Sequence, residues 1–134
     1  MKYLIIILLF SNSLWSQNTD EHKWNNRVLI IRGSKTDSIL VEQQFKTFSK
    51  IQNQITDRKL VLYKCIENNC TFYDWKQKPR ILKMEALQSS FEIILIGLDG
   101  YEKFKSSKLE ESKVIFDLID QMPMRRQEIK NHKK

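Results

Sequence analysis

Arg27-Val28-Leu29-Ile30-Ile31-Arg32-Gly33 holds a short unbroken apolar run, rich in β-branched residues and set between two arginines. Such a run suits a strand buried on both faces. Beyond Gly33 the apolar period changes: Val41, Phe45, Phe48, Ile51 and Ile55 follow one another at steps of four, three, three and four. That spacing lays one apolar stripe along a helix and turns Glu42, Lys46, Lys50 and Gln54 away from it. Asp37 or Ser38 can accept from its first free amides as the N-cap. Asp57-Arg58 ends the helix, and Leu60 to Ile66 reads as a second strand. Two strands joined by such a helix are all but obliged to run parallel, through a right-handed crossover.

Toward the C-terminus, Glu67 to Lys78 reads as a polar loop carrying a cysteine and the aromatics Phe72, Tyr73 and Trp75. Pro79 can open a helix, because its missing amide hydrogen is unpaired there anyway. Ile81, Leu82, Met84 and Leu87 would form its apolar side. Phe91 to Ile96 is the most apolar run and should be a central strand. Asp99-Gly100 suits a tight hairpin, and Tyr101 to Ser106 then alternates like an edge strand with exposed lysines. Ser107 and Glu110 are spaced as a capping box. The helix behind them is expected to bury Val114, Ile115, Leu118, Ile119 and Met122, with Pro123 closing it. The order βαβαββα predicts an α/β fold over residues 27–124, a four-stranded mixed sheet flanked by helices. With the first and third strands central and antiparallel, this is the thioredoxin arrangement.

Toward the N-terminus, Lys2 is followed by the apolar run Tyr3 to Phe10 and then by polar Ser11, Asn12 and Ser13. This is the three-part pattern of a secretory signal peptide, 1–16, with cleavage expected after Ser16. The run is too short for a bilayer span, which takes about 20 apolar residues. No cysteine near the cleavage site offers a lipid attachment point, so no stable membrane anchor is expected after cleavage. Residues 17–26 form a polar lead-in, with Trp24 expected against the domain. The destination is secretion, periplasmic or extracellular.

The formal charge of +7 falls to +6 when Lys2 leaves with the signal. Much of the excess lies in the basic C-terminal tail, 125–134, where Arg125, Arg126, Lys130, Lys133 and Lys134 face one acid, Glu128. Such a segment can attract an acidic partner over distance or be a solvated terminus. Nucleic acid is not expected for an exported chain without a recognition motif.

Cys65 and Cys70 are the only cysteines. Outside the cytoplasm a pair reads as a disulfide, here across the turn-prone Glu67-Asn68-Asn69. The rival reading is a redox pair, but reactive thiolates favour helix N-termini, and in this topology chemistry sits between first strand and first helix. That turn reads Gly33-Ser34-Lys35-Thr36-Asp37-Ser38, without sulfur. Gly33-Ser34-Lys35-Thr36 echoes a phosphate-binding loop but lacks the first glycine, since Val28 stands at its place. Two cysteines with only His22 and His132 make a poor zinc set. No metal, cofactor or catalytic triad is expected.

Ile119-Asp120-Gln121-Met122-Pro123-Met124-Arg125-Arg126-Gln127-Glu128 resembles the closing signature of an uncharacterised family of secreted bacterial domains of unknown function (number 4174). That family is related to the peroxiredoxin-like, thioredoxin-fold DUDES domains of animal extracellular-matrix proteins. Trp24 with Asn26-Arg27, Asp57-Arg58, and Leu95-Ile96-Gly97-Leu98-Asp99-Gly100 with Lys103 match in order. The resemblance implies a thioredoxin-like fold and imports no activity. The peroxidatic position is vacant, and Ser89 and Ser90 stand where thioredoxins carry a cis-proline.

Arg125 and Arg126 follow the last helix, where positive charge is favoured. One of them can pair with Asp120 or Glu128 and lock the tail to the domain. Alternatively Arg27, Arg80, Arg125 and Arg126 converge on an acidic ligand, since guanidinium matches carboxylate or phosphate. The expected function is a non-catalytic binding module with an acidic envelope or extracellular partner. The alternative is a thiol-disulfide or peroxide-linked oxidoreductase using Cys65 and Cys70.

Overall fold

The computed structural model describes residues 20–84 and 90–132. The expected signal peptide, Leu87, Ser89, Lys133 and Lys134 lie outside them. The strands are β1 (Arg27–Gly33), β2 (Leu60–Ile66), β3 (Asn69–Tyr73), β4 (Arg80–Lys83), β5 (Glu92–Ile96) and β6 (Glu102–Ser106). The helices are α1 (Ser38–Ser49), α2 (Gln52–Asp57), α3 (Ser112–Asp120) and α4 (Pro123–His132), with short 3-10 turns at Asp20–His22 and Lys35–Asp37. The strands form one mixed sheet in the order β4-β3-β2-β1-β5-β6. β1 runs parallel to β2, with Val28 opposite Val61, and antiparallel to β5, with Ile30 opposite Ile94.

Every residue of β1 is buried, as its unbroken apolar run requires of a strand with strands on both sides and layers on both faces. Alternation sends Leu29 and Ile31, with Leu62, Ile93 and Leu95, to one face. There they meet Val41 and Phe48 of α1, Ile55 of α2, and Ile115, Phe116 and Ile119 of α3. Burying each large side chain contributes about 1.5–3 kcal/mol, so this layer dominates stability. Val28, Ile30, Val61, Tyr63 and Cys65 point to the opposite face, with Cys70 and Met84. Among the described residues no α-helix contributes to that cluster, and the 3-10 turn reaches it through His22 on Tyr63 and Phe72, so the expected flanking by helices is found on one face.

The expected four strands are six among the described residues. Glu67 to Lys78, expected as a loop, contains β3, and Pro79 precedes β4 rather than a helix. In β3 the inward residues are Cys70 and Phe72, and five residues with polar neighbours carry too short an alternation to stand out. In β4 Leu82 faces the core while Ile81 is 82% exposed. A helix would have used both on one side; period two cannot. The β2–β3 turn places Glu67 at φ 55°, a left-handed conformation, and the Glu67 N–H donates to the Gly33 carbonyl at 2.8 Å.

The stripe from Val41 to Ile55 also divides. α1 ends at Ser49 and α2 starts at Gln52, with Ile51 off the helical backbone at φ −127°, ψ 46°. Thr47 and Ser49 hydroxyls bond back to the Gln43 and Lys46 carbonyls, a competition that bends helices. The capping box at Ser107 is not formed: α3 starts at Ser112. Ser106 donates instead to Glu110 (2.8 Å), and the buried Gln44 amide grips the Glu110 backbone at both its N–H and its carbonyl. Pro123 opens α4 at its first position, where proline fits.

Candidate functional site

The turn behind β1 is closed on itself. Ser34 Oγ lies 2.8 Å from Thr36 Oγ1 and donates to Asp37 Oδ2 at 3.1 Å. The same carboxylate oxygen accepts the Phe91 N–H at 3.1 Å. Asp37 precedes α1 but its side chain makes no cap bond; it ties the turn to the start of β5 instead. Gly33 has little room beside it, since a Cβ there would lie 3.0 Å from the Asp37 Cβ and 3.1 Å from Val41 Cγ2.

The two cysteines form the disulfide. They oppose each other across β2 and β3, and both are buried, Cys65 completely. They lie on the face opposite α1.

The four candidate arginines separate. Arg27 is wholly buried and donates from Nη1 to the Arg58 carbonyl (2.7 Å) and to both Glu128 carboxylate oxygens (3.3 Å each). Its Nε and Nη2 find no hydrogen-bond partner among the described residues. Arg125, also buried, donates to Asp57 Oδ2 (2.7 Å), the Asp57 carbonyl (2.9 Å) and Asp120 Oδ1 (3.1 Å), and lies 3.5 Å from Glu128. Arg58 grips the two oxygens of Asp120 with two nitrogens, at 3.1 and 2.9 Å, and lies over the Phe116 ring. Three guanidiniums thus interlock with three carboxylates, joining β1, the α2–β2 corner, α3 and α4. Burial works against the Asp120 carboxylate, but Arg58 and Arg125 outweigh it and hold its pKa below the usual range. Burial likewise opposes the Arg125 charge and is outweighed by Asp57 and Asp120. Arg125 therefore sits inside a helix and an ion network, not in a solvated tail. Arg126 is exposed, and Arg80 lies elsewhere.

Arg80 borders a cleft of about 520 Å³, within the usual range for small-molecule sites. Its floor is aromatic. His22 Nε2 meets the Tyr63 hydroxyl at 2.7 Å, and the His22 ring stacks on Phe72 with centroids 5.2 Å apart. Arg80 covers the Phe72 ring at 5.1 Å and donates to Glu21 at 3.1 Å. Burial lowers the His22 pKa, more than Glu21 raises it. Burial also pushes the Tyr63 hydroxyl up to about 12, so both groups stay neutral near pH 7. Asn25, Asn26, Thr56, Lys59 and Lys76 form polar walls. Sequence reasoning missed this cleft, having weighed His22 only as a poor zinc ligand. The available signal was Tyr63: an inward tyrosine in β2 needs a partner for its hydroxyl.

A smaller cavity of about 90 Å³ lies between Arg27, Gly97, Lys103 and Met122-Pro123-Met124. A Cβ on Gly97 would come within 2.7 Å of Lys103 Cε, so glycine there lets the lysine lie flat and reach Asp99 at 2.7 Å.

Among the described residues no helix is long and apolar enough to cross a membrane. No curated protein and no solved structure matches the chain. Residues 18–128 match the family described as Domain of unknown function (DUF4174). That span takes in the segments 24–27, 57–58, 95–103 and 119–128, which the fold gathers around the arginine network and the small cavity. With most of its length inside that match, the chain belongs to the DUF4174 family.

Proposed function

We propose that the chain is exported, loses residues 1–16 and works as a non-catalytic, thioredoxin-like binding module for an acidic ligand. The strand order β2-β1-β5-β6, with β5 antiparallel to its neighbours, supports the thioredoxin assignment and with it a kinship to DUDES and peroxiredoxin-like domains. On this reading β3 and β4 extend the sheet at the β2 edge. Arg80 is the candidate arginine best placed for a ligand, whereas Arg27 and Arg125 serve the fold.

The observation that carries the non-catalytic reading is the place of the sulfurs. Both are buried in a cross-strand disulfide on the face away from α1. The turn where this topology mounts its nucleophile holds Asp37 bonded to Ser34 and to the Phe91 amide. A thiolate nucleophile needs exposure and a positive local field, and neither sulfur has the exposure. The test is insulin reduction and peroxide consumption by residues 17–134, beside Cys65→Ser/Cys70→Ser. Background rates for both proteins are expected. Thiol-dependent turnover present in the first and lost in the second would establish an oxidoreductase instead.

A further inference from the structure

We propose that the cleft beneath Arg80 binds a small hydroxylated organic anion of the sugar-acid class, one carboxylate on a polyhydroxylated body. The inference rests on the binding-module reading and names its ligand.

Charge sets the first requirement. The cleft presents Lys59, Lys76 and Arg80 against Glu21 and Asp74. Both acids are engaged within the protein. Glu21 accepts from Arg80 at 3.1 Å and lies 3.4 Å from His22, and Asp74 Oδ1 accepts the N–H groups of Lys76 and Gln77 at 3.0 and 3.1 Å. Lys59 is shared with Glu128 at 3.9 Å, whereas Lys76 meets no carboxylate among the described residues, so Lys76 and Arg80 are the cations that favour an anion here. Arg80 gives Glu21 a single nitrogen in that contact, and a guanidinium fork carries further donors suited to a planar carboxylate.

Wall chemistry sets the second. Asn25, Asn26 and Thr56 supply short polar groups, and the apolar lining open to a ligand is Leu60 and Val61, since His22 and Arg80 already cover the Phe72 ring. A ring with hydroxyls on its edge and C–H groups on its face matches both. A lipid chain does not, because the walls are polar. A bare inorganic anion would leave most of the 520 Å³ to water.

The experiment is an NMR amide titration of residues 17–134 with sodium galacturonate, galactose and inorganic phosphate. Galacturonate is expected to bind at least tenfold more tightly than either comparator, shifting the amides of Asn25, Thr56, Phe72 and Lys76. Arg80→Gln should weaken it about tenfold, the loss of one charge-assisted hydrogen bond, and Lys76→Gln about threefold. Both side chains are exposed, so both variants are expected to fold, and unchanged amide spectra away from the cleft will show it. Equal binding of galactose, equal binding of phosphate, no binding at all, or shifts confined to Arg126 and Lys130 would each overturn the proposal. None of those outcomes alters the insulin and peroxide rates, so the non-catalytic reading is judged separately.

Discussion

Replacing Glu128 by Gln removes the only carboxylate paired to Arg27 among the described residues. That guanidinium has no exposure to solvent, and its remaining hydrogen bond is to the Arg58 carbonyl. Glu128 is itself 14% exposed in its side chain, so solvent screens the pair weakly. Arginine cannot escape by losing its proton. An uncompensated buried charge costs about 3–5 kcal/mol. Glu128 also lies 3.5 Å from Arg125, but Asp57 and Asp120 still hold that residue, so the loss falls mainly on Arg27. For a domain of this size, 3–5 kcal/mol corresponds to roughly 10–20 °C in Tm. Adding Arg27→Met to Glu128→Gln removes the stranded charge, and the double variant should regain at least half of the loss. Urea unfolding followed by tryptophan fluorescence, read as change in midpoint at constant slope, measures both. A Glu128→Gln loss under about 1 kcal/mol, or a double variant no better than the single, would refute the buried-charge reasoning.

Three further outcomes are expected. His22 is buried and its pKa lowered, with Glu21, Asp74, Arg80 and Tyr63 around it; the unfolded chain therefore binds its proton first. Its contribution is complete above about pH 6.5 and is lost as the pH falls through that value toward the depressed folded pKa. Urea midpoints at pH 7.5 and 5.5 should show this fall, and His22→Phe should shrink it; a midpoint rising on acidification contradicts it. Glu67→Gly relieves the left-handed φ of 55° and should stabilise by about 0.5–1 kcal/mol, net of the entropy glycine costs. A destabilised midpoint would show that the Glu67 side chain supports the turn. Cys65→Ala with Cys70→Ala opens a loop spanning only five positions and should cost about 2 kcal/mol on loop entropy. Loss of folding altogether would mean that the disulfide holds the sheet and does not merely pin the hairpin.

Where burial forces a pattern, the chain was legible. β1 and β5 hold continuous apolar runs because they are buried on both faces, β2 is broken only by Lys64, and the Gly100 turn (φ 84°) announced itself through its dipeptide. β3 and β4 were not legible. Their inward residues, Cys70, Phe72 and Leu82, are too few for a period to emerge, and Ile81-Leu82 with Met84 fits a helix as readily as a strand. Pro79 suits the residue before an edge strand as well as a helix start. The clamp of Arg125 on Asp120 and Glu128 was readable because all three lie within one turn or two of each other. Its reach to Asp57 and Arg27 depends on how α4 docks, which no local pattern encodes. The cleft is harder still, since Glu21, Thr56, Phe72 and Arg80 come from four separate segments.

The most direct measurement concerns the sulfurs themselves. A folded protein of residues 17–134 is held with millimolar reduced glutathione at pH 7.5, quenched with a thiol-alkylating reagent and weighed by mass spectrometry. With Cys65 wholly buried and Cys70 1% exposed, attack on the disulfide waits for the hairpin to open. Labelling should therefore be negligible over minutes and should become fast only in denaturing urea. Complete labelling of both cysteines within seconds under native conditions would contradict the non-catalytic account.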